Sequence, residues 1–112
     1  MHIDSYKFGE IVVDGKRYSA DVMIYPDKVK KWWRKEGHKV YVEDIKEAVA
    51  EKPDVLVVGS GDPGLMKVLP KTKKYLEKRG IELIVEPTEK AVQVFNQLCL
   101  KKKVIAGLHL TC

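Results

Sequence analysis

The sequence predicts an α/β fold: a mixed sheet flanked by helices and opened by an N-terminal antiparallel hairpin. Three observations carry this. Asp14-Gly15 separates two β-like runs, the two-residue signal for a tight hairpin turn. The run Val55-Leu56-Val57-Val58 has no polar alternation, as in a strand buried on both faces and paired in parallel. Helix and strand patterns then alternate to residue 110, which favours parallel neighbours joined by right-handed crossovers. With 112 residues the chain has the size of one domain, taken as residues 1–112. A chain of this size buries somewhat less than about 70% of its unfolded surface, enough for a core without covalent staples.

The elements follow in order. Residues Ile3 to Val13 and Lys16 to Ile24 form the arms of the hairpin, the second alternating through Tyr18, Ala20, Val22 and Ile24. Tyr25-Pro26-Asp27 stops that arm. Lys28 to Lys39 is the least regular stretch. Val40 to Val42 reads as a short strand. Glu43 and Asp44 then place acids in the first turn of a helix, where they suit its dipole. Ile45, Ala48 and Val49 give that helix one apolar face, and Lys52-Pro53 ends it. After the buried strand at 55–58 comes the loop Gly59-Ser60-Gly61-Asp62-Pro63-Gly64. Pro70 suits the first position of a helix over Lys71 to Arg79, closed by Gly80. Ile81 to Val85 is another strand. Thr88 is placed to cap a third helix whose apolar stripe is Ala91, Val92, Phe95, Leu98 and Cys99. Lys101 to Lys103 ends it, and Val104 to Leu110 is the final strand.

Hydrophobic residues make up 45% and charged residues 33% of the chain, which excludes a disordered polymer. The charge is mostly Lys and Glu, as in ordinary solvated surfaces and in proteins of hot-living organisms. The net charge of +5 allows anionic partners, but acids and bases are interspersed. Cys99 and Cys112 form no C-x-x-C pair, so they read as free thiols in a reducing compartment. No apolar run approaches the roughly 20 residues of a membrane span, and residues 1–9 lack a signal-like apolar stretch. The expected location is the cytoplasm, with no membrane partner.

The glycine loop matches G-x-G-x-x-G through Gly59, Gly61 and Gly64, and Glu86 follows at the end of the next strand. That pattern can cradle a dinucleotide or another anion. It also occurs where a turn simply needs positive φ. Pro63 lacks one of the N–H donors a cradle needs, and Pro70 starts the next helix late. The candidate pocket comprises Gly59, Ser60, Gly61, Asp62, Gly64, Thr88, Asn96 and His109. Asn96, beside Phe95 and Leu98, either satisfies a backbone group or faces that pocket.

Trp32 and Trp33 lie among Lys28, Lys30, Lys31, Arg34, Lys35, His38 and Lys39. Aromatics among bases can pack in the core, anchor a protein partner or stack nucleobases. Adjacent residues cannot share one face, so one Trp is expected to be more exposed. The candidate partner surface is Trp32, Trp33, Arg34 and His38; nucleic acid is the weakest of the three readings. His109 near Cys112 offers a thiolate-activating pair in principle, but a hydrogen-bonded structural histidine is the simpler account. No catalytic residue, cofactor or metal-ligand set is assigned.

Ser5-Tyr6-Lys7-Phe8-Gly9, Trp32-Trp33, His38, Gly59-Ser60-Gly61, Arg79-Gly80-Ile81, Thr88-Glu89 with Ala91, Asn96, and His109-Leu110-Thr111-Cys112 together give the chain a family likeness over essentially its whole length. It resembles the small α/β family shared by a mitochondrial complex I assembly factor and the adipogenesis-associated domain protein of animals, and within it an archaeal, thermophilic member. The resemblance implies a three-layer α/β/α-type domain with a central mixed sheet. It implies no enzyme activity, and it associates the family with assembly or regulation. The leading expectation is therefore a non-enzymatic binding or assembly protein with an unknown protein partner. The alternative is a small-molecule or anion binder, or a cryptic enzyme, using Gly59–Gly64.

Overall fold

The computed structural model describes all residues, 1–112. The chain opens with β1 (Ile3–Lys7), β2 (Glu10–Val13) and β3 (Lys16–Tyr18), which form a three-stranded antiparallel sheet of their own. Asp14 and Gly15, both at positive φ (47° and 78°), make the two-residue turn between β2 and β3. The hairpin is thus where the sequence places it, but both of its arms are shorter than expected. Gly9, at φ 82°, turns the first arm back on itself after Phe8. The second arm leaves the small sheet after Tyr18 and re-enters structure as β4 (Val22–Ile24), whose three residues are all buried.

The central sheet has five strands in the order β5-β4-β10-β7-β9, with β5 over Val29–Lys31, β7 over Val55–Gly59, β9 over Glu82–Glu86 and β10 over Val104–Leu108. β10, β7 and β9 are parallel, and β4 runs antiparallel to both β10 and β5. The one strand running against the others is therefore β4, antiparallel to both of its neighbours; the opening hairpin packs beside the sheet. Within β7, Val55 and Val57 point to one buried cluster, and Leu56 and Val58 to the other. This two-sided burial explains the unbroken apolar run, each side chain of which contributes roughly 1.5–3 kcal/mol.

On one face lie α3 (Thr88–Leu98) and the three-stranded sheet, meeting through Ile3, Ile11, Val13 and Phe95. On the other lie α1 (Lys46–Ala50), α2 (Pro70–Lys78) and a small parallel pair, β6 (Lys39–Val40) with β8 (Lys67–Val68). The result is three layers about a mixed sheet. The strand expected at 40–42 stops at Val40, because Asp44 Oδ2 accepts from the Tyr41 amide at 2.8 Å and curls Val42–Asp44 into a 3-10 turn. Thr88 also departs from expectation. It is the first helical residue of α3, after Pro87, and its hydroxyl caps nothing in the helix.

Candidate functional site

Because β10, β7, β9 and β5 all run the same way, their carboxyl ends share one rim of the sheet, the usual place for a site in such folds. Four segments meet there: residues 33–38 after β5, 60–66 after β7, 87–88 after β9, and 109–112 after β10. Asp21, just before the oppositely running β4, joins them from below.

Asp21 binds three groups from two of these segments. Its Oδ2 lies 2.7 Å from Arg34 Nη2 and 2.7 Å from His109 Nδ1, and its Oδ1 accepts from the Leu110 amide at 2.8 Å. A carboxylate only accepts, so His109 carries its proton on Nδ1. The approach of Arg34 Nη2 to that same nitrogen, 3.2 Å, is therefore a contact between two donors and not a hydrogen bond. Arg34 Nη2 also donates to Gly37 O at 3.0 Å, and its guanidinium lies over the Trp32 ring at 4.5 Å. Burial works to raise the Asp21 carboxyl, but the hydrogen bonds from His109, the Leu110 amide and Arg34, with the Arg34 charge, outweigh it and hold it below its ordinary value. The Arg34 and His109 side chains are almost fully enclosed, and His109 Nε2, Arg34 Nε and Arg34 Nη1 have no hydrogen-bond partner within the chain. His38, on the surface, meets the His109 ring edge-on at 5.8 Å.

The glycine loop closes on the chain itself. The Ser60 amide donates to Glu86 O, that of Gly61 to Thr88 Oγ1, and that of Asp62 to Thr111 O. The Thr88 hydroxyl donates in turn to His109 O at 2.6 Å. The Ser60 hydroxyl reaches Glu86 O. A Cβ on Gly61 would stand 2.3 Å from Thr111 O, and one on Gly59 2.8 Å from both Leu108 and Thr88 side-chain atoms. Gly61 and Gly64 hold φ 101° and 113°. The three amides best placed for a phosphate cradle are thus engaged by the chain's own oxygens, and β8 intervenes before α2. Of the candidate pocket residues, Gly59, Gly61, Thr88 and His109 do converge, but upon one another. Ser60 and Gly64 border a concavity of about 230 Å³ with Met66, Lys67, Val68, Lys73 and Val85. Asp62 is exposed. Asn96 is elsewhere: its amide pairs with both the N–H and the C=O of Ile3, at 2.9 and 2.8 Å.

The two tryptophans divide as expected. Trp32 is buried, donating from Nε1 to Asp44 O at 2.9 Å, with its ring against Gly107. Trp33 is 71% exposed. Arg34, expected beside it on the surface, turns inward to Asp21. Asp21 itself escaped sequence reasoning, since its partner His109 lies 88 residues away and no local spacing joins them. Phe8 and Leu65 are also exposed, and both belong to this rim: the Gly9 amide donates to Leu110 O, and Leu65 follows the glycine loop. No group of three or more His, Cys, Asp or Glu side chains is arranged to hold a metal ion. No helix is long and apolar enough to cross a membrane.

A three-layer α/β protein with a five-stranded mixed sheet, an accessory antiparallel sheet and a polar clasp beneath an aromatic rim defines the class. The chain belongs to the family described as "Protein of unknown function (DUF498/DUF598)", whose pattern matches residues 3–109. It is 29% identical over 106 residues to NADH dehydrogenase [ubiquinone] 1 alpha subcomplex assembly factor 3 of Bos taurus, and 27% identical over 107 residues to that of Homo sapiens. Each match covers 93% of this chain, which spans 57% of the length of those relatives. Among solved structures, the conserved hypothetical protein PH1505 of Pyrococcus horikoshii is 32% identical, with both chains covered in full and a TM-score of 0.92.

Proposed function

We propose that the chain is a non-enzymatic binding or assembly protein that receives a protein partner on the Trp33 rim. The observation that carries this is the pair Trp32-Trp33: one ring fixed in the core, the next held out from it at 71% exposure. An exposed tryptophan is among the residue types most enriched at interface hot spots. Phe8 and Leu65 add apolar surface at the same rim. The assembly-factor relatives support a role exercised through other proteins. The local charges argue against a nucleic-acid surface. Glu36, Glu43 and Glu47 stand within 4 Å of Lys39, Lys35 and Lys30, so the bases around Trp33 are interspersed with acids and form no continuous phosphate-tracking stripe. Both cysteines are free thiols, as a cytoplasmic setting would keep them.

The test is site-specific photo-cross-linking. A photoreactive side chain at position 33 is expected to trap a protein partner, while one at Leu100, exposed at the opposite end of the sheet, traps none. Trp33→Ala should weaken capture at least about tenfold while stability stays within about 0.5 kcal/mol of the parent. Equal trapping from both positions, or capture indifferent to Trp33→Ala, removes this reading.

A further inference from the structure

The sheet ends on one side at β9, Glu82-Leu83-Ile84-Val85-Glu86, which pairs with β7 alone. The Glu82 amide donates to Asp54 O, and the Ser60 amide donates to Glu86 O. The two-residue alternation of a strand therefore turns the backbone groups of Glu82, Ile84 and Glu86 toward β7, and those of Leu83 and Val85 outward. The side chains of Leu83 and Val85, with Ile81, floor a groove of about 410 Å³ walled by Lys73 and Glu77 of α2. Outward-facing backbone and a row of alternate apolar side chains thus lie along the same edge.

The opposite edge is built differently. β5 has only three residues, two of them exposed lysines, which is how native sheets commonly prevent edge pairing. β9 is longer, has an apolar centre and carries no lysine or proline. We propose that β9 is a docking strand, to which an extended segment of a protein partner adds as a sixth strand, with alternate apolar residues in the α2 groove and basic residues at its two ends. The acidic ends of β9 set that preference. Their present partners, Lys102 on Glu82 at 3.9 Å and Lys90 on Glu86 at 3.7 Å, are long contacts made by half-exposed or more exposed lysines, which water and salt screen. A second copy of the chain fits poorly, since full antiparallel pairing of two β9 strands about Ile84 sets Glu82 of each copy against Glu86 of the other. This surface is separate from Trp33 and stands or falls independently of it.

The test uses two synthetic heptapeptides of alternating valine and threonine, one with lysine at both ends and one with glutamate. Amide exchange followed by NMR should slow at Leu83 and Val85 with the lysine-ended peptide, and the glutamate-ended one should bind at least about tenfold more weakly. Val85→Pro removes an outward donor without touching the β7 ladder, and Val85→Lys guards the edge by charge with less demand on the backbone. Either should abolish the protection, whereas Trp33→Ala should leave it intact. Unchanged exchange at both amides, or protection that survives both Val85 variants, overturns the proposal. So does concentration-dependent protection of these amides without peptide, which would assign the edge to a second copy.

Discussion

At the scale of single residues, Gly61 and Asp21 fix the rim from opposite sides. Gly61 combines φ 101° with a Thr111 oxygen 2.3 Å from where a Cβ would stand, and backbone oxygen is not a neighbour that can swing aside. Gly61→Ala should therefore cost at least about 2 kcal/mol, the sum of left-handed strain and displaced tail, read as a lower denaturant midpoint. Asp21 makes the rim sensitive to acid. Its folded carboxyl titrates below the ordinary 3.8, so the stability it contributes is complete above that value and is lost as pH falls through the lower, folded one. Asp21→Asn should flatten this acid limb in melting temperature against pH. At neutral pH it should also lower stability by about 2 kcal/mol, less than a fully buried pair would lose, because the Asp21 side chain keeps 19% exposure.

At the scale of elements, Asn96 joins α3 to β1 through both backbone groups of Ile3, a residue only 2% exposed. Asn96→Ala leaves those two groups unpaired and should cost about 1–3 kcal/mol, with amide exchange at Ile3 accelerating before that of the central sheet. The sequence placed Asn96 among buried neighbours and left open whether it met backbone or pocket; only the fold, which lays residue 3 beside residue 96, decides for backbone. The same contrast runs through the other elements. β7, β9, α2 and α3 were legible because an unbroken apolar run, a helical stripe, and Pro70 and Gly80 as boundaries are local signals. Gly9 and the Ser19-Ala20 break were not, since each interrupts an otherwise continuous β pattern and the sheet a strand joins is a tertiary matter. The convergence of Gly61, Thr88 and His109 was anticipated as a pocket. Its closure by the chain's own oxygens follows from the path of residues 109–112, which no spacing encodes.

At the scale of the whole molecule, the two faces of the sheet bury clusters of different make. One joins α3 to the accessory sheet and is nearly all aliphatic, with Phe95 as its large ring. The other takes in Trp32 and Tyr25. Burial, and then the nearby Glu47 carboxylate, push the Tyr25 hydroxyl up to about 12, so it stays neutral across ordinary pH. That second layer packs Trp32 against Gly107, next to the exposed Trp33, while β9 lies at the far edge of the same sheet, so the two proposed surfaces do not overlap. The strand between them is β10, paired on one side with β4 and on the other with β7. A ribosome delivers that strand after every element it pairs with. Until residues beyond 103 emerge, the nascent chain holds two half-sheets, β5-β4 and β7-β9, with no seam between them and with bare edges that invite mispairing. Closure depends on contacts between distant parts of the sequence, which are slow to form, so the edges that β10 will cover stay bare until the last strand is in place.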